Sequence, residues 1–167
     1  MTYLLDVNVF IQAKNLHYGM DFCPAFWDWL IEKNEEEHVF SIEKVADELV
    51  SGYDELSDWA AQKGRKFFLP PDEKVLGALQ QVSEWVIGQQ YAPAAINTFF
   101  QVADYYLVAH ALGHNQVVVT HEIASDGVRK VKIPNACIGL KIKCMTPYEM
   151  LRRERARFVV GRSGKCS

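Results

Sequence analysis

The chain reads as an α/β protein with a central, mainly parallel sheet flanked by helices. Three observations predict this. Short apolar runs of strand length alternate with longer segments whose apolar residues keep helical spacing. The opening run, YLLDVNVF at 3–10, is almost continuously apolar, as befits a parallel strand covered on both faces. QVVVT at 116–120 repeats that character with β-branched residues.

The elements follow in order. Residues 3–10 form the first predicted strand. Pro24 sits where a helix starts, and AFWDWLIEKN follows with apolar residues at 26, 27, 30 and 31. HVFS, 38–41, is a short second strand. Ser41 is of a type that caps helices, and the helix IEKVADELVSG follows and stops at Gly52. DELSDWAAQKG is a further helix ending at Gly64, and KFFLP is a short strand. Pro71 opens a helix to about Gly88, YAP breaks it, and one helix runs from about Ala94 to Leu112, with Gly113 at its end. After the 116–120 strand comes an SDG turn at 125–127. LKIKCMT, 140–146, is the last strand and PYEMLRRERAR the last helix. No internal repeat or interdomain linker interrupts this order. Residues 1–151 are therefore expected to form one domain and residues 152–167 a basic C-terminal tail.

Composition narrows the function classes. The chain is 49% apolar and 23% charged, which excludes a disordered or low-complexity protein. No apolar run approaches the roughly 20 residues that a membrane span needs. The first residues lack a basic stretch followed by an apolar one, so a cytoplasmic location is expected. Cys23, Cys137, Cys144 and Cys166 show no C-x-x-C spacing, which predicts free thiols rather than a zinc knuckle or a disulfide framework. The net charge of −3 conceals an asymmetry: residues 129–167 carry +9 and residues 1–128 carry −12. A basic final quarter on an acidic body can bind polyanions locally; it can also be simply solvated. Trp27, Trp29, Trp59 and Trp85 are expected in the core or facing a partner.

Four carboxylates stand in apolar surroundings: Asp6 in LLDVN, Glu48 in KVADELV, Asp104 in FFQVADYYLVAHAL and Glu122 after VVVTH. A buried carboxylate is costly unless it is paired or bound to a metal. No Arg or Lys in the same segments neutralises them. Bare anions brought together raise one another's pKa, and a hard cation such as Mg²⁺ or Mn²⁺ relieves this. Each acid also has a plain structural reading, and Asp126 competes with Glu122 for the fourth place.

These segments, in this order, resemble the PIN-domain family of metal-dependent ribonucleases. The family's first strand ends in an Asp with Asn or Ser two residues on, as in LLDVNVF. Its second acid closes a helix, as in VADEL; its third lies in an A-D-x-x-x-x-A pattern, as in ADYYLVA. Its fourth follows a strand as T-x-D, where this chain has THE, and its last strand and helix look like the segment before and through TPYEML. The resemblance spans residues 2 to about 151. Val7 in place of a small hydroxyl residue, Glu122 in place of Asp and the Trp-rich FWDWL helix mark a divergent branch.

The resemblance implies a PIN-like three-layer fold and a metal-dependent endoribonuclease, similar to the VapC-type toxins of toxin–antitoxin pairs. In that reading Asp6, Glu48, Asp104 and Glu122 hold one or two Mg²⁺ or Mn²⁺ ions, and Asn8 and Thr120 orient the acids. A water activated by the metal attacks the phosphodiester and leaves 5′-phosphate and 3′-hydroxyl ends. Lys130, Lys132, Lys141, Lys143, Arg152 and Arg153, with Arg155 and Arg157, would hold RNA phosphates. The implied partners are RNA, an antitoxin protein and possible homodimerisation. The alternative is a non-catalytic PIN-like module that binds RNA or a partner. Two enzyme rivals are weaker. A haloacid-dehalogenase-type phosphatase wants an Asp where Asn8 stands. A zinc enzyme would use His110, His114 and either His121 or Glu122, without the H-E-x-x-H pattern.

Overall fold

Tyr3–Leu5 (β1) is the centre of a five-stranded sheet in which every pairing is parallel. Val39–Ile42 (β2) pairs on one side and Val117–Val119 (β4) on the other. Phe68–Leu69 (β3) and Cys144–Met145 (β5) close the edges, in the order β3-β2-β1-β4-β5. The computed structural model of the chain describes residues 1–161; the end of the expected basic tail, with Arg162, Lys165 and Cys166, lies outside the described residues. Tyr3, Leu4 and Leu5 are all fully buried, so helices cover both faces of the sheet.

Nine helices connect the strands among the described residues. They are Val7–Gln12 (α1, continued by a π turn at Ala13–His17), Pro24–Glu35 (α2), Glu43–Val50 (α3), Glu55–Phe67 (α4), Glu73–Gly88 (α5), Pro93–Gln101 (α6), Ala103–His114 (α7), Ile133–Leu140 (α8) and Pro147–Arg153 (α9). α7 lies against β2 and β4 and packs along α5. α2 and α4 pack on β2. Beside them Phe10, Trp59, Phe67 and Phe68 form an aromatic cluster with ring centroids 5.0–6.4 Å apart. Burying one such side chain contributes roughly 1.5–3 kcal/mol. All four tryptophans belong to the core or pack on it. The packing continues past α9, where Phe158 sets its ring edge against Tyr18 and Phe26. Cys23, Cys137 and Cys144 are free thiols. No helix among the described residues is long and apolar enough to cross a membrane.

Several local expectations change. The first strand stops at Leu5, because the Asp6 carboxylate accepts the Val7 N–H at 2.7 Å and starts α1, which buries Val9 and Phe10. Ser41 does not cap α3. Its hydroxyl donates to the Leu5 carbonyl at 2.6 Å, tying β2 to the end of β1. The expected helix 94–112 is two helices, broken at Val102, whose backbone is extended. The expected stop at Gly64 is a kink inside α4, where Gly64 adopts φ 60°. The expected strand 140–146 shrinks to two residues, and α8 precedes it.

Gly113 lies inside α7, which runs on to His114 and ends at the left-handed Asn115. Its role is close approach: a Cβ there would stand 2.8 Å from the Lys74 carbonyl oxygen of α5. Gly113→Ala is therefore expected to lower stability by about 1–3 kcal/mol through overpacking. Urea unfolding checks this, and an unchanged midpoint would refute the contact.

Candidate active site

The strand order reverses beside β1, and in open α/β sheets the crevice beyond the carboxyl ends at such a point is where ligands bind. Asp6 follows β1 and Thr120 follows β4. The Asp6 N–H extends the pairing by one bond to the Val119 carbonyl, at 2.9 Å. Its side chain is 2% exposed, and Oδ2 accepts the Thr120 hydroxyl at 2.8 Å. Thr120 Oγ1 in turn accepts the Glu122 N–H at 3.1 Å and the Asn8 side-chain amide at 3.3 Å. Asn8 Oδ1 accepts the His121 N–H at 3.1 Å. Thr120 thus orients Asp6 directly, and Asn8 does so through Thr120.

The break at Val102 sets the third acid. It places Asp104 in the first turn of α7, at the positive end of the helix rather than mid-helix. The Ala103 N–H freed by the break donates to Glu48 Oε1 at 3.4 Å, so the α3 acid serves the start of α7. Burial pushes the Asp6 carboxyl up to about 7, with further upward pressure from Asp104 and Glu122, against the bonds from Thr120 and Val7. Burial likewise pushes Asp104 up to about 6, reinforced by Glu122 and Glu48 and opposed by Lys130. All four acids predicted from the sequence therefore act within one electrostatic field.

They are not drawn into a closed metal cage: among the described residues, no three His, Cys, Asp or Glu side chains group closely enough to hold an ion. Glu122 explains part of this, since Oε1 accepts the Lys130 ammonium at 2.9 Å and Oε2 the Ile133 N–H at 2.8 Å. The donor set that fits a cation is the buried Asp6 and the half-buried Asp104, with Glu48 beside the start of α7. Such a set suits a hard ion that keeps several waters, as Mg²⁺ does. Asp126 is exposed and lines a separate shallow groove with Gln89, Tyr91 and Asn135.

The cations divide. Lys130 faces the acids, and with Arg129 it lines a cleft of about 260 Å³ walled by Asp104, Thr98 and Phe99. Lys132 precedes the first turn of α8. Lys141 and Lys143 enter β5 from the amino edge of the sheet. Arg152 and Arg153 end α9 beside Glu154, which accepts the hydroxyl of Tyr3 at that same edge. These four stand across the sheet from the acids.

Sequence reasoning missed Arg129, although it adjoins Lys130. It also missed a group of rings, His17, His121 and Tyr148, with centroids 5.5–5.7 Å apart and a 2.8 Å contact from the Tyr148 hydroxyl to His17 Nε2. No spacing in the sequence marks that group, because its members come from three separate elements. The residues of the zinc rival are occupied elsewhere. His110 and His114 stack at 4.8 Å, but His110 pairs with Gln116 and His114 lies 2.7 Å from Asp72.

The raised acids give the metal-free protein a pH signature. Asp6 and Asp104 hold protons in the folded state up to about pH 7 and 6, whereas in the unfolded chain they lose them near pH 4. Stability therefore falls as pH rises from about 4 to 7 and levels off above that. Asp104→Asn should flatten the slope and be the more stable protein at pH 8, by about 1–2 kcal/mol. Urea unfolding in chelator measures both, and a wild type whose stability is flat over pH 4–7 would contradict the assignment.

The chain belongs to the family described as "Domain of unknown function (DUF4411)", which matches residues 3–158. No curated protein matches it in sequence. Among solved structures it is similar to VapBC2 from Rickettsia felis bound to a DNA fragment from their promoter, with TM-score 0.55 and 14% identity over 87% of this chain and 98% of that one. It is also similar to FitAcB from Neisseria gonorrhoeae, with TM-score 0.51 and 18% identity over 88% and 99% of the two chains. A third likeness is to FitAB bound to an IR36 DNA fragment, with TM-score 0.53 and 20% identity over 88% and 96%. These likenesses concern the fold, and the PIN-like three-layer α/β arrangement expected from the sequence is the one found.

Proposed function

We propose that this DUF4411 chain is a metal-dependent endoribonuclease acting as the toxin of a toxin–antitoxin pair. The observation that carries the reading is the buried Asp6 with the half-buried Asp104, drawn from distant elements to the strand-order reversal. Carboxylates whose pKa is raised by burial and by neighbouring acids cost stability unless a cation joins them, which is the mark of a site kept for function. Asp6 and Asp104, with Glu48 beside them, would hold Mg²⁺ or Mn²⁺. When bound, such an ion supplies Lewis-acid activation of water and of a phosphoryl group. The chain's own residues do the positioning. Thr120 and the Val7 N–H fix the Asp6 carboxylate, and Asn8 fixes Thr120. Arg129 lines the cleft that Asp104 walls, where it can meet phosphates of a bound strand. The rings of His17, His121 and Tyr148 suit unpaired bases, which favours single-stranded RNA. A fold shared with VapBC2 and FitAB supports the antitoxin partner.

A second reading has its own observation. Glu122 is already bonded by protein donors, and among the described residues no three His, Cys, Asp or Glu side chains form a cage, as in a PIN-like module that binds RNA or a partner without cutting.

Cleavage of a mixed pool of structured and single-stranded RNA separates the two. Wild type with Mg²⁺ or Mn²⁺ is expected to cut, leaving 5′-phosphate ends. Chelated wild type and Asp6→Asn are expected to stay at background. Full activity in clean Asp6→Asn would sink the nuclease reading, and RNA bound but uncut with every metal would establish the binding module.

A further inference from the structure

Glu122 differs from Asp6 in the partners its oxygens take. One oxygen accepts the Ile133 N–H and the other the Lys130 ammonium, at 2.8 and 2.9 Å, whereas the donors to Asp6 are neutral, the Val7 N–H and the Thr120 hydroxyl. A charge-assisted bond of this length fixes the direction of a carboxylate. Its own N–H is held by Thr120. The residue therefore joins three points: the end of β4, a loop lysine, and the start of α8, 11 residues on. Ile133 is the first residue of α8, so its N–H has no partner within the helix, and no side chain at Lys132 caps that end. Glu122 meets this need from the far side of a loop whose residues 123–130 are all exposed. The extra methylene over Asp gives it the reach. Lys130, held at its other end by this bond, lies in the field of Asp104 and Asp6 as well. Its side chain is 61% exposed against 13% for Glu122, so the ammonium can leave for solvent while the carboxylate stays.

We infer that Glu122 is a positioning residue, not a metal ligand: it clasps the 121–132 loop to α8 and holds the Lys130 ammonium in the cleft that Lys130 and Asp104 line together, where it competes with a divalent cation. The competition rests on the cation reading of those acids proposed above, whereas the clasp does not.

Two measurements on the purified full-length chain test this. The first is amide hydrogen exchange at Ile133 in metal-free protein. Glu122→Gln should speed it at least about tenfold, the loss of one charge-assisted bond. Unchanged exchange would overturn the clasp. The second is Mn²⁺ binding, followed by calorimetry and by the spin signal of free Mn²⁺. Lys130→Met should bind Mn²⁺ about 3–10-fold tighter than wild type, as removal of one partly exposed charge predicts. Lys130→Arg, which keeps the charge, should match wild type. Glu122→Gln should keep the stoichiometry and stay within about threefold of wild-type affinity, while Asp104→Asn loses at least about tenfold. Glu122→Gln falling as far as Asp104→Asn would make Glu122 a ligand, and Lys130→Met binding no tighter than wild type would overturn the competition. If none of these proteins, Lys130→Met included, binds Mn²⁺, the cation reading itself fails, and Ile133 exchange still decides the clasp.

Discussion

The hydrogen bond from Thr120 to Asp6 joins the two strands between which the sheet order reverses, and the rest of the site is arranged around it. β1 is only three residues long and buried on both faces, so no charged side chain fits within it. The first position free of that constraint is Asp6. There the backbone still pairs with β4 while the side chain caps α1 and meets Thr120. Ser41 completes the arrangement by satisfying the last β1 carbonyl. Buried polar networks are stabilising only when each member is satisfied, and this one is, by donors from β2, β4 and α1.

What the network leaves uncompensated is charge. Asp6 and Asp104 are each placed at a helix N-terminus, where the backbone dipoles favour a negative group by about 0.3–1 kcal/mol, less than the burial and repulsion acting on them. The chain carries this strain at one point and compensates with an otherwise dense core. Concentrating electrostatic conflict at a single crevice is how functional sites differ from the structure that supports them.

Much of this was legible in the residues. The parallel sheet followed from the near-continuous apolar character of 3–10 and 116–120, and the acids stood out because carboxylates are rare among such neighbours. Other features were hidden for physical reasons. Val7, Val9 and Phe10 are apolar in a helix that is buried on one side, so period alone could not separate 7–10 from a strand; Asp6 as a capping residue was the cue to the boundary. The break at Val102 has no Gly or Pro to announce it, because tertiary packing and the Glu48 bond sustain it. The double engagement of Glu122 depends on Ile133 and Lys130 folding back across a loop, a juxtaposition that residue type and spacing cannot express.

The central position of the first strand also has a consequence for biosynthesis. Asp6 leaves the ribosome 114 residues ahead of its partner Thr120. At 5–20 residues per second, on the order of ten seconds separate their synthesis. Until β4 emerges, β1 lacks one of its neighbours and the acids have no crevice to share. A chain that stops before residue 117 therefore carries Asp6, Glu48 and Asp104 but lacks both the β4 pairing and the Thr120 bond that set the Asp6 carboxylate.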